Sequence, residues 1–121
     1  MMSHLIPDNT LEELKAPPVI HKPRPSYAPV YAALYPEMAE VARECGYALA
    51  IHGSLQRDFD VVAIAWANVV QTPFDLITAL TAKFDLKLIG GPTVKNHGRV
   101  AWTLACGFGE CSLDLSFTPV I

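Results

Sequence analysis

Three aspartates carry the chemistry that this sequence could do. Asp58 and Asp60 lie two residues apart in Arg57-Asp58-Phe59-Asp60-Val61-Val62, and Asp114 lies in Ser112-Leu113-Asp114-Leu115-Ser116-Phe117. Side chains alternate faces along a strand, so Asp58 and Asp60 share one face while Phe59 and Val61 take the other. In the later stretch Ser112, Asp114 and Ser116 share a face opposite Leu113, Leu115 and Phe117. Carboxylates on an apolar strand are costly to desolvate, and a cation, a basic side chain or open solvent must offset that cost. If the two strands are neighbours, the three acids converge in a hard oxygen site suited to Mg²⁺ or Mn²⁺. An ion held there could clamp the phosphates of a nucleotide and stabilise an in-line displacement.

The residues around the acids extend that reading. Gly53-Ser54 ends the preceding strand, where backbone donors can approach a phosphate oxygen. Arg57 and Arg99 are read as phosphate contacts rather than carboxylate partners, because guanidinium forks suit phosphate. His52 reads as a hydrogen-bonded rim residue, and His97, between Asn96 and Gly98, as either a site or a surface residue. A plainer alternative stays open, in which Asp58 or Asp60 pairs with Arg57 or Arg99 and Asp114 forms a structural ion pair. Trp66 and Trp102 read as core. There is no Ser-His-Asp or Cys-His arrangement, no glycine-rich phosphate loop and no zinc spacing.

Two kinds of segment must position these residues. Residues 1–26 read as an extended proline-rich arm, in which Asp8-Asn9-Thr10 could cap one short turn before Pro17, Pro18, Pro23 and Pro25 forbid regular structure. The arm either docks loosely or packs on a neighbouring subunit through Leu5, Ile6, Val19 and Ile20. Residues 27–121 read as a single α+β domain. Pro29 and Pro36 each suit a helix's first position, which predicts one turn over 30–34 and a second helix over 36–45. Glu37 and Glu40 would then lie at its positive end, with Gly46 as the left-handed stop. Strands are expected over 47–54 and 59–66, joined as a hairpin. Thr72, Pro73 and Asp75 predict a capped helix running to Phe84 that buries Phe74, Ile77, Leu80 and Phe84. A short strand over 86–89 should end at Gly90-Gly91-Pro92, before two more strands over 100–106 and 111–118. The sum is a mostly antiparallel sheet of four or five strands with two helices on one face.

Composition bounds the function classes. The chain has 121 residues, 51% apolar and 17% charged, which suits one globular domain. Its formal net charge of -3 argues against a general nucleic-acid binder. No apolar run approaches the ~20 residues that cross a bilayer, and no export signal is evident. Cys45, Cys106 and Cys111 are therefore expected as reduced core residues, although Cys106 and Cys111 flank a turn that could bring them together.

Gly53-Ser54, the Asp58-Phe59-Asp60 pair opening a strand, and the later Asp114 together resemble the signature of the nucleotidyltransferase superfamily. That resemblance implies a glycine-serine turn on the triphosphate and three acids, Asp58, Asp60 and Asp114, binding Mg²⁺ and serving as the catalytic set. Only Leu55, Gln56 and Arg57 separate the two parts here, where the superfamily has a longer, helix-containing spacer. Val30-Tyr31-Ala32-Ala33-Leu34-Tyr35-Pro36, His52-Gly53-Ser54, Arg57-Asp58-Phe59-Asp60, His97-Gly98-Arg99 and Leu113-Asp114-Leu115-Ser116-Phe117 also resemble a family of small uncharacterised proteins of tailed bacteriophages. This implies a phage product in the host bacterial cytoplasm. The expected function is a nucleotide-binding protein with a reduced nucleotidyltransferase-like site, using Gly53, Ser54, Arg57, His97, Arg99 and Ser116 on the ligand. Whether it turns substrate over is left open. The alternatives are a non-catalytic accessory protein that sequesters a host nucleotide signal or inhibits a host defence protein, and an interaction module that dimerises through its arm.

Overall fold

A computed structural model describes residues 26–107 and 110–119. All of the arm except Ser26 lies outside the described residues, so its expected turn and docking are not addressed by the structure. The described chain runs α1 (Ala28–Glu44), β1 (Tyr47–His52), β2 (Asp58–Ala65), α2 (Pro73–Phe84), β3 (Lys87–Val94), β4 (Val100–Ala105) and β5 (Ser112–Phe117). A single 3-10 turn, Asn96–Gly98, joins β3 to β4.

The five strands form one sheet in the order β1-β2-β5-β4-β3. The α+β class, the five strands and the two helices agree with expectation. The sheet is mixed, however: β1–β2, β3–β4 and β4–β5 pair antiparallel, whereas β2 and β5 pair parallel. Parallel neighbours need a long crossover, and here α2, β3 and β4 all lie between them. Alternation sorts the sheet into two faces. Tyr47, Leu49, Phe59, Val61, Leu104, Leu113 and Leu115 are buried together with Tyr31, Met38 and Val41 of α1 and Leu76, Ile77 and Leu80 of α2. The acidic positions alternate with these, so they face away from the helices.

Three tyrosines fasten the helical layer to the sheet. The Tyr31 hydroxyl donates to the Arg57 carbonyl at 2.6 Å and accepts from the Ser112 amide at 3.2 Å. Tyr35 and Tyr47 donate to the carbonyls of Leu49 and Gln71, each at 2.6 Å. A buried hydroxyl must find partners, and these three find them on strands or loops distant in sequence.

Several local expectations need correction. The two helices expected before Cys45 are one helix of 17 residues that runs through Pro36, leaving Glu37 and Glu40 mid-helix. Proline removes one backbone bond there, to the Ala32 carbonyl. Both residues lie on the exposed side, while buried Tyr31 and Met38 hold the turns on either side. The strand expected to end at Gly90 continues as β3 to Val94, with a register shift between Ile89 and Thr93. Pro92 is tolerated because β3 is an edge strand that need not donate at every position. Phe74 and Trp66, expected in the core, are 63% and 65% exposed. Trp102 is half-buried against Phe117, edge-on at 5.5 Å. The Thr72–Asp75 capping box forms as expected. All three cysteines are buried free thiols.

The α1–β1 turn contains a position that only glycine fills. Gly46 has φ +92, and an added Cβ would lie 2.5 Å from the Val69 carbonyl oxygen and 2.9 Å from the Val70 Cα. Both are backbone atoms that cannot rotate away. Gly46→Ala is expected to cost about 2 kcal/mol from the left-handed backbone and the clash together. Chemical denaturation of the two proteins would check this, and equal midpoints would contradict it.

Candidate functional site

The face of the sheet opposite the helices gathers the three aspartates. β2 and β5 are in register so that Asp60 stands directly opposite Asp114, and Asp58 opposite Ser112. On the other side of β2, His52 stands opposite Asp60. One row across three strands therefore reads His52, Asp60, Asp114, with Thr103 continuing it on β4. The juxtaposition expected of the last strand and the acidic hairpin is present, with β2 and β5 parallel.

The Gly53–Ser54 turn is pressed against this row. Gly53 adopts φ +79, and a Cβ there would stand 2.7 Å from Asp60 Oδ2. Only the absence of a side chain lets the turn come that close to the carboxylate. The Ser54 hydroxyl accepts from the Gln56 amide at 3.3 Å and stiffens the turn. Leu55 is left-handed as well, at φ 63, a conformation costly for a branched residue. This double left-handed turn replaces a two-residue hairpin and carries the chain from β1 to Asp58.

The acids differ in their surroundings. Asp58 is exposed and accepts from the Ser112 hydroxyl at 3.2 Å. Asp60 is partly buried, and its pKa is raised above the ordinary 3.8, first by burial and then by the charge of Asp114. Asp58 adds to the rise, while His52 and Lys95 oppose it. The Asp114 carboxylate is 32% exposed and lies 3.9 Å from the Lys95 ammonium. A carboxylate pair that raises the proton affinity of one member also attracts a cation.

The expected ligand contacts are only partly gathered. Arg57 pairs with Glu110, so the turn before β2 is tied by charge to the turn before β5. Its expected preference for a ligand over a carboxylate is therefore not what the structure presents. Arg99 donates to the Ser116 hydroxyl at 3.0 Å. Ser116 is itself buried and lies 3.4 Å from the Val61 carbonyl as a donor, which makes it a rivet between β4, β5 and β2. His97 is exposed at the β3–β4 tip with φ 64. Sequence reasoning overlooked Lys95 and Glu110, and put Ser112 on the acidic face without foreseeing its hydrogen bond to Asp58. For Lys95 a signal existed: it and Arg99 flank a glycine-containing tip, so a hairpin would place both beside β5.

Among the described residues, no group of three or more His, Cys, Asp or Glu side chains could hold a metal ion. Asp60 and Asp114 instead form a two-carboxylate pair, with Asp58 turned toward Ser112. Mg²⁺ keeps several waters and is commonly bound by one or two carboxylates plus substrate phosphates. The pair fits that coordination habit, while a finished three-acid cage is not present.

Comparisons of the chain with protein-family models, with curated proteins and with solved structures find no match. Function therefore rests on the site alone. No helix among the described residues is long and apolar enough to cross a membrane.

Proposed function

We propose that this protein binds a nucleotide or a nucleotide-derived phosphate ligand, together with Mg²⁺, in a reduced nucleotidyltransferase-like site on the open face of its sheet. The observation that carries this reading is the register of Asp60 against Asp114, with the Gly53 turn closed onto Asp60. Two carboxylates kept side by side on a sheet are destabilising unless something cationic visits them. A glycine turn at the same spot can offer backbone donors to a phosphate oxygen.

Asp60 and Asp114 would hold the ion, with Asp58 joining once it releases Ser112. The ion would supply charge neutralisation for the phosphates. Gly53 and Ser54 would offer backbone and hydroxyl donors to phosphate oxygens, and His52 borders the pair from β1. Farther along the same face, Ala50 and Val62 pair across β1–β2, as do Ala48 and Ile64. They form an apolar floor on which a base could rest. Arg57, engaged by Glu110, would keep the two turns together rather than touch the ligand. Phage origin and a host-cytoplasmic setting remain part of this proposal through the motif resemblance.

Calorimetry with ATP, GTP and cyclic dinucleotides, each with and without Mg²⁺, tests it. Binding of at least one of them that strengthens with Mg²⁺ is the expected result. Heatless titrations throughout, in protein shown to be folded, would remove the reading. Tight binding indifferent to Mg²⁺ and without turnover would select the alternative of a sequestering protein.

A further inference from the structure

Two of the three cysteines stand face to face at the end of the β4–β5 pair. The ladder runs from Val100 opposite Phe117 to Ala105 opposite Ser112. Its next rung sets Cys106 opposite Cys111, and the Cys106 amide donates to the Cys111 carbonyl at 3.0 Å. Directly opposite residues of an antiparallel pair have Cα atoms about 4.5–5.5 Å apart. That lies within the span of about 4.4–6.8 Å that a disulfide bridges. Opposed residues also share a face. By alternation both cysteines follow Leu104 and Leu113 onto the helix side, and both are buried free thiols. Cys45 stands elsewhere, at the end of α1, with Glu44 and Asp75 as the charges it feels.

The residues beside Cys111 are held from two directions. The Ser112 amide donates to the Tyr31 hydroxyl, and the Glu110 amide donates to the Tyr27 hydroxyl at 3.3 Å. Burial, and then the neighbouring Cys111, push the Cys106 thiol up to about 11. Both sulfurs also add to the rise that burial causes in the Tyr31 pKa. The Cys106 thiol therefore stays protonated near neutral pH, and a protonated, buried thiol reacts slowly. The way in is short, however. Gly107 follows at φ +80, and a Cβ added there would meet nothing within 4 Å. The rung thus borders open space at the end of its ladder, where local opening costs least.

We propose that Cys106 and Cys111 form a reversible dithiol–disulfide pair, an oxidative modification site closed by small-molecule disulfides. When the rung opens, one cysteine sulfur gives up its proton and attacks a sulfur of the small disulfide, expelling one thiol. The second cysteine sulfur then attacks the first and expels the other thiol. One S–S bond breaks and one forms, and the protons of both cysteines pass to the two released thiols. The protein pair is oxidised and the small disulfide reduced. Closure staples β4 to β5 at the rung next to Ser112, whatever the acidic face binds. Cys45 takes no part.

Cys45→Ala isolates the pair. This variant is equilibrated with reduced and oxidised glutathione at several ratios, once folded and once in urea, then acid-quenched and alkylated. Mass spectrometry reads the disulfide fraction, and peptide mapping assigns the bond. The folded chain should favour the Cys106–Cys111 bond about thirtyfold over the urea-unfolded chain, since a bond that constrains the unfolded chain is favoured equally by folding. The thermal midpoint of the oxidised protein should rise by roughly 5–10 °C over the reduced one, and exchange of the Ser112 amide should slow. Should Cys45→Ala not fold, mapping of the parent makes the same assignment. Cysteines that serve only as small core residues would form the bond no more readily folded than unfolded. That result, bonds that recruit Cys45, or an oxidised protein less stable than the reduced one would each overturn the proposal.

Discussion

Asp60→Asn is expected to make the ligand-free protein more stable and its Mg²⁺-dependent nucleotide binding much weaker. At about pH 7 the gain should be roughly 0.2–1 kcal/mol, the usual penalty of like charges directly opposite on neighbouring strands. Mg²⁺-dependent nucleotide binding should fall about a hundredfold, the equivalent of roughly 3 kcal/mol, once half of the carboxylate pair is neutral. The pH dependence follows from the raised pKa of Asp60. A carboxyl whose folded pKa exceeds its unfolded value favours the folded state at low pH, and that contribution is lost as pH rises through the folded pKa. The parent should therefore lose stability relative to Asp60→Asn as pH climbs above the ordinary 3.8, with the gap constant beyond the raised value. Urea midpoints for both proteins, taken below and above this window, provide the measurement. A variant less stable than the parent at neutral pH would mean that the ionised form already has a strong partner in the fold, which contradicts the site as described.

Phe59→Ala should cost about 3–5 kcal/mol, the largest stability loss expected of any single change discussed. Phe59 is fully buried, and its ring stacks on that of Tyr31 with centroids 4.9 Å apart. It lies between Asp58 and Asp60 in sequence and points to the opposite face, so it is the floor beneath both acids. Tyr31 in turn holds the Arg57 carbonyl and the Ser112 amide. Those two groups precede Asp58 on β2 and open β5. Loss of the Phe59 ring frees Tyr31 to shift, and with it the register that sets Asp60 against Asp114. For a domain of this size the thermal midpoint should drop on the order of 10–20 °C. Exchange of the Ser112 amide should accelerate in step. A drop corresponding to less than about 1 kcal/mol would show that the stack is not what holds the strands.

The sequence made the acidic face readable because alternation is local. Asp58 and Asp60 had to share a face, as did Ser112, Asp114 and Ser116, whatever the strand order. It could not reveal strand direction, since alternation reads the same for parallel and antiparallel neighbours, and β2–β5 turned out parallel. The Thr72–Asp75 box was legible because its hydrogen bonds lie within four residues. Pro36 misled because its helix-starting preference was overridden by long-range burial of Tyr31 and Met38. Gly90-Gly91-Pro92 misled for a related reason: strand-breaking residues are harmless at an unpaired edge. Trp66 and Phe74 were misplaced because residue type predicts average burial only, and these two sit outside the helix–sheet layer. Lys95 was missed because the stretch from Thr93 to Gly98 was read as a plain loop and not as the tip of a hairpin, which brings Lys95 to Asp114.

The parallel strand also governs the sequence of assembly. β5 fills the central slot of the sheet, yet it is the last of the described strands to leave the ribosome. Before it arrives, β1–β2 and β3–β4 are two separate hairpins, and an isolated hairpin is marginal in water. Insertion of Ser112–Phe117 zips both flanks at once and delivers the second carboxylate in the same event. A half-made chain consequently presents Asp60 without its counterpart, and the carboxylate pair comes into being only with completion of the fold.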